Sequence, residues 1–375
     1  MAVYVPSTGG QRVIFEQLAQ RVVDQYAEAE RRILAQLQRR LDRLLTAEGP
    51  TQRLQEQLVA VRQLEAEARA ALAGIDDRVV HEVLLAAEAA GAGAALDRLG
   101  LANHLPQRGP ITTGRARALG LLQADVDNRL DDVKRRILRF EQDAYQRLAA
   151  DTVPQVLLGT QGRLDAQRAG VARWLDRGIT AFRDAAGREW TTGAYVEMTT
   201  RTALFRAYTE SALIRMESAG VNLVTIVVGV GACKPCAQWI GKVLSTDGTT
   251  GDVVIPHAAT GQDITVHVDG TLDGARAAGW GHPNCRCHVA AYLPGLPIPA
   301  AATTYDPEQE AALARQRELE RRIRRLKLRE TLNPDGDATD TRARIRATER
   351  QLREHIREHD LPRKRNREQP AFQTG

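Results

Sequence analysis

Aromatic side chains are scarce in this sequence. They supply 4% of 375 residues, and the chain holds only four cysteines, three methionines and four tryptophans. So little aromatic surface argues against a large aromatic-rich core. With 26% charged residues and Leu, Ala and Arg prominent, the composition points to long amphipathic helices. No stretch approaches the ~18 uninterrupted apolar residues of a membrane span, so none is expected. The opening MAVYVPSTGGQRVIF lacks the charged start and apolar run of a secretory signal. Synthesis in a cytoplasm is therefore expected, where disulfides are unusual. A Walker loop, a GxGxxG entering a helix, a GxSxG and an HExxH are all missing, which removes the commonest nucleotide-binding, serine-hydrolase and zinc-protease designs. No catalytic residue and no organic-cofactor site is assigned. Asp125, Asp127, Asp131 and Asp132 are read as solvated helix surface.

What is present is helix after helix. The length allows two or three domains, or one domain with long helical arms. Ile14, Leu18, Val22 and then Ile33, Leu37, Leu41 and Leu44 recur at threes and fours. Glu48-Gly49-Pro50 ends that run, and Thr51 is placed to cap a second helix carrying Leu54, Leu58, Val61, Leu64, Ala68 and Leu72. Paired stripes of this kind suit a helical hairpin packed on its own domain, or a short coiled coil that would make a homo-oligomer. A break at Gly100 to Pro110 precedes a long helix over about Thr113 to Ala150, with Val126, Leu130, Val133, Ile137, Phe140 and Leu148 on its apolar face. Shorter, glycine-punctuated pieces follow from Val153 to Trp190, then a helix from about Thr192 to Ser218.

The character changes at Val221 to Val230, a β-branched run that reads as a buried strand. From Ile240 to Val289 the chain favours short strands and turns, with Asp263 to Val268 alternating. Helix returns after the prolines of Leu293 to Pro299, with Asp306 as N-cap and Pro307 at the first helical position. Leu319, Ile323 and Leu326 mark that helix, Asn333 to Gly336 breaks it, and a last helix carries Ile345, Leu352 and Ile356. The fold expected is mainly α with a central α+β zinc-binding domain and long helical N-terminal and C-terminal arms. Its regions run 1–110 (helical hairpin or coiled coil), 111–220 (central helices), 221–299 (β-rich zinc knuckle) and 300–375 (basic helices and tail). From Asp306 onward there are eighteen basic and fourteen acidic residues. Arg363, Lys364, Arg365 and Arg367 close the chain in a segment expected to be extended or disordered. Such a tail suits sequence-independent phosphate contact with double-stranded DNA, or simply a solvated surface.

All four cysteines lie between Cys233 and Cys287. In a reducing compartment that clustering points to metal. Cys233-Lys234-Pro235-Cys236 is one donor pair, and His282-Pro283-Asn284-Cys285-Arg286-Cys287-His288 supplies the other. Two short pairs across a longer loop suit tetrahedral Zn²⁺, since each tight turn presents two donors to one side. Thiolate and imidazole donors favour zinc over harder cations. The set preferred is Cys233, Cys236, His282 and Cys285, with Cys287 and His288 as alternates and an all-cysteine site using Cys287 in place of His282 as the main variant. Four donors close the shell, so the zinc is expected to be structural. The rival is a zinc-dependent nuclease or nucleic-acid-processing factor with His257 or His267 as base.

Several stretches in unbroken order resemble the phage minor capsid protein 2 family, relatives of the minor head proteins of Mu-like phages. They are Arg177 to Asp184 with Gly187 to Trp190; Tyr195 to Met198 with Arg201-Thr202 and Ala207; Gly231 to Cys236 with Gly241 to Ser245; His282 to Arg286; and Tyr305-Asp306 with Gln316 to Arg324. Leu361 to Arg363 with Arg367 to Gln369 completes the set, so the resemblance covers about Asp165 to Gln369. Family members often carry histidine where this chain has Cys287, which is why Cys287 is left outside the preferred set. The resemblance implies a structural, non-enzymatic, low-copy component of the phage head, with portal and capsid proteins as partners. It also implies head assembly or DNA packaging and ejection as the process, and the virion as the location.

Overall fold

The structure is a computed structural model that describes residues 8–99, 113–157, 182–183, 189–190, 192–227, 232–283, 285, 287–298, 305–332, 338–363 and 365–369. Among the described residues it is mainly helical, with a small sheet region in the middle. Helix α1 spans Thr8–Thr46, α2 Gly49–Ala73, α3 Arg78–Leu99 and α4 Thr113–Leu157; α5 is Thr192–Ser218. Helix α2 begins three residues earlier than a Thr51 cap would place it. Glu48 is its N-cap residue with Pro50 in the first turn, where proline's fixed φ and missing N–H carry no penalty. The Gln52 side chain accepts from the Glu48 N–H at 2.8 Å. The expected break at Gly100 to Pro110 and most of the glycine-punctuated segment before Trp190 lie outside the described residues. What is seen of the latter is a two-residue ladder, β1 Phe182–Arg183 against β2 Glu189–Trp190.

The chain divides into two compact units, each drawn from separated stretches. One comprises Met1–Arg21, Asp77–Arg129 and Glu197–Glu310; the other Val22–Asp76, Leu130–Val196 and Ala311–Gly375. In the second unit the predicted leucine stripe is core. Leu34, Leu37, Leu41 and Leu44 bury against Ala60, Leu64 and Ala149. Leu58, expected on the stripe of α2 with Leu64, is instead 58% exposed. The last helices, α8 (Pro307–Leu332) and α9 (Ala338–Glu358), close Leu319 and Ile323 against Leu352, with Ile356 packed alongside. Asp306 caps α8 as its position predicts, its carboxylate accepting from the Glu308 N–H at 2.8 Å.

The first unit holds the sheet. Strands β3 (Leu223–Val227), β4 (Val243–Ser245), β7 (Gly270–Thr271) and β8 (His288–Ala291) lie in the order β7-β4-β3-β8. β3 is antiparallel to both neighbours, and β4 is parallel to β7. β5 (Gly251–Pro256) and β6 (Asp263–Val268) form a separate antiparallel hairpin, whose sides alternate between covered and exposed as Asp263 to Val268 predicted. Two short helices, α6 (Lys234–Ala237) and α7 (Leu272–Ala277), fill the crossovers. Leu213, Met216, Val224, Ile226, Leu244, Leu272 and Val289 form one apolar core. At Gly91 in α3 the backbone approaches α5 so closely that a Cβ would lie 2.1 Å from the Tyr208 carbonyl oxygen.

One stretch, Thr51–Asp97, is long and apolar enough by composition to cross a membrane, although the sequence holds no uninterrupted apolar run of that length. Within α3 its apolarity comes from valine and leucine with seven alanines, and the helix also carries Glu82 and Glu88. A helix packed in a core passes the same measure.

The end of the chain departs from expectation. Arg365–Glu368 is a 3-10 turn rather than an unstructured tail. Arg363 donates from Nε and Nη2 to the two carboxylate oxygens of Glu368, both at 2.7 Å, and the Glu368 side chain is 3% exposed. Arg367 lies 4.0 Å from Glu320 and is 16% exposed. The segment orders because two of its guanidiniums are needed to neutralise two buried carboxylates. That same commitment removes Arg363 and Arg367 from the exposed phosphate-contacting set expected of the tail. Lys364 lies outside the described residues.

Candidate metal centre

The two donor pairs are brought together by the sheet. β3 leads toward Cys233 and β8 starts one residue after Cys287, and the antiparallel register pairs Val227 with His288. Chain leaving β3 and chain entering β8 therefore meet at one edge, although Cys236 and Cys285 are 49 residues apart. Pairing of adjacent strands, not local sequence, sets this meeting.

Each pair is formed by a tight turn. Cys233 is the N-cap of α6 in an extended conformation, with Pro235 in the first turn. The Cys233 carbonyl accepts from the N–H groups of Cys236 and Ala237, both at 3.0 Å, which turns both thiols to one side. On the other pair the Cys285 N–H donates to the His282 carbonyl at 2.9 Å. Gly279 and Gly281 approach it with φ of 97° and 75°, a left-handed backbone that favours glycine. A Cβ at Gly279 would sit 3.4 Å from Pro235, so the two turns are in contact there.

One donor atom each from Cys233, Cys236, His282 and Cys285 lies within 4.8 Å of the other three. Cys233 Sγ is 2.9 Å from His282 Nε2, and Cys236 Sγ is 3.5 Å from Cys285 Sγ. A tetrahedral ion with bonds of about 2.0–2.3 Å holds its ligands roughly 3.3–3.8 Å apart, so the spacing fits a zinc-sized ion with small adjustment. The His282 Nδ1–H donates to the Pro283 carbonyl at 2.8 Å. A ligating histidine characteristically ties its other nitrogen in this way, which fixes the tautomer and leaves Nε2 for the metal.

The electrostatics are those of a shared-proton cluster. Hydrogen bonds from Cys236, then from Cys285 and Cys287, hold the Cys233 thiol far below the ordinary thiol range, with His282 adding to the effect. Cys236 is pushed up, first by its hydrogen bond to Cys233 and then by that to Cys285. Cys285 feels an upward push from Cys233 that its bonds with Cys236 and Cys287 outweigh, leaving it at about 7. His282 rises to about 9, chiefly through Cys233. Protons already shared among the donors are the ones a metal would displace on binding.

Cys287 and His288 are not among the four converging donors, although the Cys287 thiol hydrogen-bonds to three of them. Cys287 is 1% exposed and belongs to the apolar core. Its thiol is pushed up by hydrogen bonds to Cys233, Cys236 and Cys285 and by burial. His288 sits in β8 with its ring edge-on to Tyr208. Sequence reasoning missed the wall of the site. Trp280 is buried with Cys236 and Cys287, and Trp239 packs against the same cluster. Tryptophans three residues after Cys236 and two before His282 were the available sign, since a thiolate site needs apolar cover.

The histidines offered as a nuclease base do not join the cluster. His257 accepts at Nδ1 from the backbone N–H groups of Ala259 and Thr260. His267 is held at 2.6 Å by Asp252 on the exposed hairpin, with both side chains more than half exposed. An ion held by all four donors would have no coordination position left over for substrate.

The family model described as phage minor capsid protein 2 matches residues 13–357. The match takes in the N-terminal helices, which the sequence stretches quoted above did not reach. No curated protein and no solved structure matches the chain.

Proposed function

The chain belongs to the phage minor capsid protein 2 family, and we propose on that premise that it is a non-catalytic head component seated beside the portal. Membership of this family makes it a structural phage protein of the virion, with other head proteins as partners. The portal as neighbour, and head assembly or DNA packaging and ejection as the process, come from what the family resemblance implies.

The observation that carries the non-catalytic reading is the closed donor set of Cys233, Cys236, His282 and Cys285. Those four residues would hold one structural Zn²⁺, which supplies cross-linking rather than Lewis-acid chemistry because no ligand position is left over. Its role would be to fasten the chain leaving β3 to the chain entering β8 around a small sheet. Packaged double-stranded DNA, as a partner, would be met by the exposed arginines of α8 and α9, Arg321, Arg325, Arg346 and Arg350, in a sequence-independent and salt-sensitive manner.

Quantitative mass spectrometry of purified particles, with zinc measured on the isolated protein, tests the reading. Peptides at a small fraction of the major capsid protein's abundance, with stoichiometric zinc, are expected. A protein abundant in the lysate and absent from particles would overturn the head-component role. Metal-dependent DNA cleavage by the folded protein would overturn the non-catalytic one.

A further inference from the structure

The C-terminal hairpin carries a second group of converging donors, far in sequence from the cysteines. His355, Glu358 and His359 each offer one atom within 4.8 Å of the other two. Their spacing of three and four residues puts them on one face at the end of α9. The rings of His355 and His359 are 4.5 Å apart between centroids.

Three features make this more than a chance of spacing. First, His355 Nε2 lies 2.8 Å from the Ala312 carbonyl oxygen on α8. A carbonyl only accepts, so Nε2 carries the hydrogen, and in the neutral ring the lone pair stands on Nδ1. This is the backbone-carbonyl tether that orients metal-ligating histidines elsewhere. Second, the backbone beneath His359 is fixed. The His359 N–H still donates to the His355 carbonyl at 3.1 Å, Asp360 follows with φ of 47°, and the Leu361 N–H reaches back to the Ile356 carbonyl at 3.0 Å. That six-to-one closure is a Schellman ending, anchored by the buried Leu361. Third, the group sits at the C-terminal end of a helix, where the unpaired carbonyls favour a cation.

We propose that His355, Glu358 and His359 form a second metal site, for a borderline divalent transition ion such as Zn²⁺, Ni²⁺ or Cu²⁺. Two imidazole nitrogens and one carboxylate oxygen suit these ions and are poorly matched to Ca²⁺ or Mg²⁺. Glu358 and His359 are exposed and His355 half-buried, so water completes the shell and the ion exchanges freely. Bound there, it ties the last turn of α9 to its Schellman turn. The same turn leads to Pro362, whose carbonyl accepts from Gln316, so the ion steadies the route by which the chain returns to α8.

Cobalt titration of the metal-free, full-length protein separates this site from the cysteine cluster. Co²⁺ held by thiolates absorbs intensely in the near ultraviolet and visible, whereas Co²⁺ held by imidazole, carboxylate and water is almost colourless. Equilibrium dialysis with metal analysis then counts the bound ions. The expected result is a coloured equivalent followed by a nearly colourless one. His359→Ala should lose the second alone, and Cys233→Ser should lose the first alone. Far-UV circular dichroism confirms that His359→Ala, an exposed position, is folded. A colourless equivalent that persists in His359→Ala is an adventitious surface ion and overturns the proposal, as does a wild-type protein that binds only the coloured one. Failure of the coloured equivalent would count against the cysteine site and leave this one standing.

Discussion

Gly91 shows how a single absent methyl group fixes a helix crossing. With the Tyr208 carbonyl 2.1 Å from where a Cβ would stand, Gly91→Ala cannot be absorbed by a flexible side chain, because the obstacle is backbone. Overpacking of this kind costs about 1–3 kcal/mol, and chemical denaturation of the variant should show a loss near the upper end. Cys236 is fully buried and one of the four converging donors. Cys236→Ser keeps the volume and removes the thiolate, so zinc content of the purified protein should collapse. Unchanged zinc would assign the metal to other residues. At this scale the sequence was informative about which residue types could ligate, since CxxC and the His282 to His288 stretch are local patterns. The residues alone left Cys285 and Cys287, two residues apart, as alternatives, and the preference for Cys285 came from the family resemblance. The His355, Glu358 and His359 spacing was equally visible. It carried no meaning until Ala312, from another helix, was seen to hold one ring.

Helices were the most legible elements. Apolar periodicity located the buried positions Val126, Leu130, Val133 and Ile137 of α4 and Leu319, Ile323 and Leu326 of α8, because a helix's own repeat decides which face is covered. The tail was misjudged for a physical reason. Its order comes from charge pairing with two buried carboxylates, Glu368 within the segment and Glu320 on α8, and a run of basic residues does not show that either carboxylate is buried. Arg363→Ala should therefore destabilise the C-terminal hairpin by about 3 kcal/mol, the scale of leaving a buried carboxylate unpaired. Hydrogen exchange of α8 and α9 should read the loss. On the surface of α1, Glu28 behaves in the opposite regime. Hydrogen bonding from Arg31, with Arg32 adding, brings its carboxyl from 4.5 down to about 2. A depressed carboxylate contributes stability above its unfolded pKa and loses it as pH falls through the folded one. The contribution of this pair should thus be intact at neutrality and fade between about pH 4.5 and 2. Because the side chain is 37% exposed, it is worth only ~0.5 kcal/mol. Acid titrations of wild type and Glu28→Gln should converge below that range.

Across the whole molecule, both compact units are assembled from stretches that are far apart in the chain. Local pattern identifies such stretches as helix or strand but cannot sort them. The small sheet shows why. Its order β7-β4-β3-β8 puts the first strand of the series beside the last, a pairing that depends on what the intervening chain permits rather than on any motif. What could be read was the change in character at Val221, where period and composition shift together. The family match from residue 13 to 357 extends over helices and sheet alike, so the knuckle belongs to the matched body of the protein rather than to an appendage.

The pairing of Val227 with His288 has a temporal consequence. While the chain is still emerging, the CxxC turn offers only two thiols, and the second pair is not made until some fifty residues later. A high-affinity site cannot exist before β8 has docked on β3, since loop closure over that span must precede it. Capture of an ion would therefore report that the last strand has found its place. Ion uptake is thus a chemical means of telling finished chains from unfinished ones.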